Sequence, residues 1–186
     1  GNGLDSLSSI ESLGIPVFVT EPRKLGDISR SIRAIGKLAG TGTASRTEAQ
    51  RVDSMLASLR AKYRREQPLS VFYQIWNDPL QTVNGEHLIS QLIELCGGYN
   101  VFADAPSLAP KINLESVLAR DPQVIVASGM DTARPEWLED WRGYTSLKAV
   151  QNNALFFVPP DHLQRPTARV LLGAEQLCSQ LATVLP

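Results

Sequence analysis

The chain has 186 residues, 43% of them apolar, with a formal net charge of -1 and only two cysteines and two histidines. That length buries a substantial core in one domain or one and a fraction, and the charge balance excludes a dedicated nucleic-acid surface, which needs clustered lysine and arginine. No run approaches the roughly 18 apolar residues of a membrane span, and the opening GNGLDSLSS lacks the basic and apolar regions of a signal peptide, so an exported protein would already have lost its leader.

In chain order, the apolar spacing predicts a short helix ending at Gly14, then a buried parallel strand over 15–20, where PVFV is fully apolar. Leu25, Ile28, Ile32, Ile35 and Leu38 recur at three- and four-residue intervals and predict a helix, broken by AGTGTAS at 39–45. Ser45 and Glu48 have the spacing of a capping box. The stripe Val52, Met55, Leu56, Leu59 and Tyr63 then predicts a helix of about 18 to 20 residues, roughly 30 Å long, which suits a strut and ends by Pro68. RAKYRRE at 60–66 reads as its solvated face.

From there the pattern alternates as an α/β domain does, with strands at 70–75 and 123–128 and helices at 84–96 and 113–120. A helix with Pro135 at its first position follows, then a last strand in ALFFVP and a closing helix over 167–185. Gly97 and Gly98 stop the helix at 84–96, the first in the left-handed conformation. One βα piece before the long helix and a fuller α/β unit after it make a lopsided layout, as in a two-lobed protein holding only part of its first lobe.

The sequence contains no G-x-S-x-G, P-loop or H-E-x-x-H motif. His87, His162, Cys96 and Cys178 lack every usual short ligand spacing, so no metal site is expected. Both cysteines lie on apolar stripes. Two buried thiols explain this, and so does a bridge closing a loop of about 80 residues, worth roughly 4 kcal/mol. DHLQR, residues 161–165, follows the carboxyl end of the last strand, where open α/β sheets place their ligands. Asp161 as acceptor, Arg165 as donor, and His162 and Leu163 as contact surface suit a polar, amide-decorated ligand; a polar loop with Arg165 paired to a carboxylate is the alternative. Tyr73, Trp76 and Tyr99, near the sheet edge, are candidate pocket aromatics.

Taken together, IESLGIPVFVTEPRKLGDI, LISQLIELCGGYNVFAD, LESVLARDPQVIVASG and SLKAVQNNALFFVPPDHLQRPTARVLLGAEQLC resemble the periplasmic cobalamin-binding proteins of bacterial vitamin B12 ABC importers. These belong to a wider group of siderophore, haem and cobalamin binders. The resemblance implies an α/β fold, the C-terminal lobe of a two-lobed periplasmic binding protein with a long connecting backbone helix. The implied division is a remnant of the N-terminal lobe at 1–30, a connecting segment with the long helix at 31–67, and the C-terminal α/β lobe at 68–186.

It implies a binding protein with no catalytic residues and no resident cofactor, holding cobalamin or a related corrinoid as cargo between its lobes and delivering it to the membrane permease. A ferric siderophore or haem is the alternative cargo. A small α/β enzyme with Asp161 and His162 as an acid/base pair is the alternative of another class. Asp161, His162, Leu163, Gln164 and Arg165 match the segment that touches the corrin periphery, with His162 where the best-known member has tryptophan. Ala109 and Gln81 stand where that member has ligand-facing aromatics. Glu115 matches a glutamate that docks to permease arginines, and Cys96 and Cys178 match a disulfide pair, as suits an oxidising periplasm. A partial first lobe further predicts poor ligand binding by this chain alone, and a homodimer formed by pairing or swapping through the remnant.

Overall fold

The computed structural model describes residues 5–129 and 133–185. In chain order its elements are α1 (Asp5–Glu11), α2 (Leu25–Leu38), α3 (Gly42–Lys62), β1 (Leu69–Gln74), α4 (Leu88–Leu95), β2 (Gly98–Asn100), α5 (Leu114–Arg120) and β3 (Val124–Ala127). A 3-10 helix (Glu136–Gly143), α6 (Lys148–Gln151), β4 (Leu155–Phe157), α7 (Pro160–Leu163) and α8 (Val170–Ala182) follow. No helix among the described residues is long and apolar enough to cross a membrane.

The strands form one parallel sheet in the order β2-β1-β3-β4. Every residue of the two central strands, β1 and β3, is buried, and they pair from Val71↔Val124 to Gln74↔Ala127. Their side chains alternate between two cores. Val71, Tyr73, Val124 and Val126 face the layer of α2, α3, α4 and α8, whereas Phe72, Ile125 and Ala127 face α5, the 3-10 helix and α6. A parallel strand covered on both faces has no polar side, which is why the two read as nearly continuous apolar runs. In the second core Phe72 meets Phe102 and Trp141 edge-on, at centroid distances of 5.6 and 5.7 Å.

α2 and α3 form a helical hairpin. At Gly36 an added Cβ would lie 2.1 Å from the Ser45 side chain, so only glycine admits this crossing. α3 runs 21 residues, about 31 Å at 1.5 Å per residue.

The ends of α3, α4 and α8 meet at the amino edge of the sheet. Cys96, which caps α4, is bridged to Cys178 of α8, 82 positions along the chain, with Cα atoms 4.6 Å apart. Gly97 has φ +80°, and a Cβ there would sit 2.5 Å from the Tyr63 carbonyl oxygen. Arg65 Nη2 donates to the carbonyls of Leu181, which also accepts the Val184 N–H, and of Val184, at 2.7 and 3.0 Å, at the end of α8 where carbonyls run short of helical donors. Arg65 is therefore a tertiary cap for α8, not part of a solvated face.

Several element expectations are corrected. Residues 15–20 are not a buried strand. No described strand pairs with them, and Phe18 and Val19 stay 52% and 57% exposed. Apolar content states a preference for burial without supplying a partner for the backbone groups. Ser45 is not an N-cap: Gly40, at φ +68°, reverses the chain early, α3 starts at Gly42, and Ser45 Oγ bonds the Gly42 carbonyl.

α3 also ends at Lys62, well before Pro68. α4 begins at Leu88 because Asn84 holds a turn, accepting from the Glu86 N–H and donating to the Ala105 carbonyl at 3.0 and 3.1 Å. The turn after Pro135 is 3-10, with Pro135 at its N-cap, and the last helix starts at Val170. β2, α6 and α7 are elements the spacing did not predict, each of three or four residues.

Replacing both Cys96 and Cys178 with alanine lowers the unfolding free energy by roughly 3 to 4 kcal/mol, read as an earlier midpoint in urea with the α/β circular dichroism spectrum retained. A second expectation concerns His87, the N-cap of α4, whose Nδ1 accepts the Ile89 N–H at 3.1 Å. Burial holds its imidazole below the ordinary value of 6.5, so the ring is neutral in the fold. Unfolding frees a ring that takes up a proton near that value, so stability present at higher pH is lost as pH falls through it. His87→Asn caps the helix without titrating and flattens the slope between about pH 5 and pH 7, measured by urea unfolding across that range.

Candidate functional site

All four strands point their carboxyl ends to one edge, and the polar segment 161–165 singled out by sequence lies there. β4 leads through Val158 and Pro159 into α7, with Pro160 at the first helical position, where its fixed φ suits the turn. DHLQR is thus a helical turn and not an irregular loop. α8 fixes it from behind: at Gly173 a Cβ would lie 2.5 Å from the His162 carbonyl oxygen, so α7 rests directly on the backbone of α8.

The helical spacing puts Asp161 and Arg165 on one face, where Arg165 Nη2 bonds Asp161 Oδ1 at 3.0 Å. With side chains 62% and 39% exposed, the pair is worth no more than about 1 kcal/mol and exchanges readily for ligand bonds. Asp161 takes Arg165 as its partner, and no bond joins it to His162 among the described contacts. Gln164 is exposed beside them. Leu163 departs from its expected role as contact surface: at 1% exposure it belongs to the first core and forms only the floor of the site.

Beneath α7 lie buried polar atoms without hydrogen-bond partners, namely Tyr73 Oη, Ser128 Oγ and His162 Nδ1. Burial pushes the Tyr73 phenol up to about 12, against the opposing pull of the neighbouring Ser128 and Gln164 side chains, neither of which meets it in hydrogen-bond geometry. Tyr73 is therefore a core residue and not a pocket wall. Tyr99 lies on the lateral edge strand β2, paired with Ser70, away from the carboxyl edge. Of the three aromatics only Trp76 stands exposed at the carboxyl edge, just past β1, 36% exposed and donating through Nε1 to the Asp78 carbonyl at 2.8 Å. Gln81 bridges Trp76 to Lys111 and reaches the Ala109 carbonyl at 3.4 Å, so Gln81 and Ala109 are neighbours.

A cavity of about 340 Å³ opens beside this segment and shares Gln164 with it. Leu88, Leu108, Leu163 and Pro166 give it an apolar lining, with Glu21, Arg23, Glu86 and His87 as its polar groups. One wall is the segment before α2, held in place by Gln91 of α4. Gln91 Nε2 donates to the Arg23 carbonyl at 2.9 Å, and its Oε1 accepts from the Leu25 N–H at 3.2 Å. Asp27 accepts from the N–H groups of Arg23 and Lys24, both at 2.9 Å. Sequence reasoning missed this cavity; the one signal was His87 following the Asn84-Gly85 turn, a cap position that the helix periodicity alone does not mark.

Glu115 stands apart, exposed in the first turn of α5, a helix capped by Asn113 Oδ1 accepting the Ser116 N–H at 2.9 Å. Its carboxylate makes no ion pair among the described residues. Nor do any three or more His, Cys, Asp or Glu side chains among them converge on a point that could hold a metal.

A family profile described as periplasmic binding protein matches residues 2–162. The vitamin B12-binding protein of Vibrio cholerae serotype O1 is 32% identical over 181 residues, which are 97% of this chain and 65% of that protein, so the chain spans about two thirds of the relative's length. The crystal structure of the periplasmic vitamin B12-binding protein of Vibrio cholerae superposes with a TM-score of 0.86 at 31% identity, covering 98% of this chain and 71% of that one. The periplasmic heme-binding protein of Roseiflexus sp. RS-1 shares the fold alone, with a TM-score of 0.82 at 20% identity over 97% of this chain and 72% of its own. With the profile spanning most of its length and the same parallel α/β lobe, this chain belongs to the periplasmic binding protein family.

Proposed function

We propose that the protein is the substrate-binding component of a cobalamin import system, working in the periplasm and handing its cargo to a membrane permease. The observation that carries this reading is the 32% identity over 97% of the chain to a vitamin B12-binding protein. The site supports it. Cobalamin is large, rigid and rimmed by carboxamides, and the carboxyl edge offers an exposed acceptor and donor in Asp161 and Arg165, with Gln164 beside them. A binding role also asks for no acid/base pair, and Asp161 is engaged by Arg165 instead of His162. Haem or a ferric siderophore is the competing cargo, since a heme-binding protein has the same fold.

Visible absorbance of the protein purified from its source tests the cargo directly. A corrin spectrum supports the reading, and a haem Soret band or a ferric siderophore charge-transfer band overturns it. Asp161→Ala and Arg165→Ala each weaken cobalamin binding about tenfold in equilibrium dialysis while leaving the melting curve nearly unchanged, because the exposed pair adds little stability.

For the permease, Glu115 is the proposed contact, an exposed carboxylate that leaves no partner behind when removed. Glu115→Lys is expected to cut uptake severalfold in a reconstituted importer while cobalamin affinity stays within about twofold of the parent. Equal loss of both would place Glu115 in the ligand site instead.

A further inference from the structure

We infer that the cavity between α4, α7 and the segment before α2 is a side chamber of the ligand site that takes a neutral carboxamide arm and rejects a carboxylate, with His87 as its donor. The inference rests on the cobalamin reading and adds a source of discrimination to it.

The His87 tautomer is fixed by its cap. Nδ1 accepts the Ile89 N–H at 3.1 Å, so the proton of the neutral ring sits on Nε2. Nε2 makes no hydrogen bond among the described residues, and His87 lines the cavity, so one N–H is offered to whatever enters. At the rim stand Glu21, Arg23 and Glu86. Arg23 Nη2 is bonded to Glu21 at 2.9 Å, which leaves the Glu86 carboxylate as the uncompensated charge. A carboxamide answers both demands, its carbonyl accepting from His87 and its N–H₂ donating to Glu86. A carboxylate could take the first bond only while facing a like charge.

The chamber is preformed. Gln91 and Asp27 hold its outer wall through backbone groups, and Leu163, packed against Gly173 of α8, forms its floor. It also shares Gln164 with the Asp161–Arg165 face, so one ligand can occupy both. Corrinoids carry carboxamide arms around the macrocycle, whereas haem carries propionates. The chamber therefore selects on the substituents of the ring and not on the ring itself.

The test is a titration of the full-length protein, isotopically labelled at histidine, with cyanocobalamin and separately with its monocarboxylates, in which one peripheral amide is hydrolysed. The histidine signal missing from His87→Asn reports the chamber. Cyanocobalamin should move that signal, and at least one monocarboxylate should bind about tenfold more weakly, a gap that Glu86→Gln narrows. His87→Asn keeps the helix cap and the melting curve but binds cyanocobalamin about tenfold more weakly. Binding of cyanocobalamin that leaves the His87 signal in place, or equal affinity for every monocarboxylate, overturns the chamber while cobalamin binding stands. If cyanocobalamin does not bind at all, the cobalamin reading fails and the chamber with it.

Discussion

The burial of both faces of β1 and β3 is the constraint on which the other features depend. Each fully buried Val, Ile or Phe in these strands contributes about 1.5 to 3 kcal/mol relative to exposure, and the alternation of their side chains demands a helical layer on each side. Parallel strands between two such layers need crossover connections, so every carboxyl end emerges at the same edge. Trp76, Gln81, Ser128 and α7 reach the same edge for that reason, although they are up to 87 positions apart in the chain. The candidate site on this scaffold belongs to one edge, and the opposite edge is free to be made rigid.

That rigidity is concentrated in α8. At Cys178 the helix is bridged to the end of α4, and near its carboxyl terminus it is capped by Arg65. Five residues before the bridge, about 7.5 Å along the axis, Gly173 lies against the His162 carbonyl. One helix thus ties the stapled amino edge to the turn that carries Asp161 and Arg165. α4 has a matching role, since it ends in the disulfide and begins with His87 on the cavity wall. The proposed ligand-facing groups thus lie at the start of α4 and against the first turns of α8, two helices that are bridged at Cys96 and Cys178.

What the sequence made legible follows from which forces are local. The runs in β1 and β3 and the stripes of α2 and α3 announce themselves, because burial on one or two faces imposes a period on the residues. Helix starts were less legible: Ser45 has the right chemistry for a cap, but the Gly40 turn moved the start to Gly42, and Asn84 was drawn into a turn with Ala105. β2 is only GYN and carries no period at all. PVFV misled because its apolar character says nothing about a strand to pair with. At the site, DHLQR was visible from its place after a strand, yet Leu163 could not be assigned to core or surface without knowing how the turn winds. The cavity was illegible because its walls come from four separated segments, joined by a side-chain amide, Gln91, that has no motif around it.

The polar groups of the site fall into two sets with opposite energetics, and this separation bears on how a ligand is held. Asp161 and Arg165 are exposed, so exchanging their mutual bond for bonds to a ligand costs little. Tyr73 Oη, Ser128 Oγ and His162 Nδ1 are buried and already carry the penalty of having no partner. A ligand therefore meets a surface whose outer groups can re-pair while the base beneath them stays still. Such a surface suits capture and release of a preformed molecule, where affinity must be sufficient to load and yet reversible on delivery. The neutral, cap-fixed His87 fits the same scheme, since its donor is oriented before any ligand arrives and its ordering costs nothing at the moment of binding.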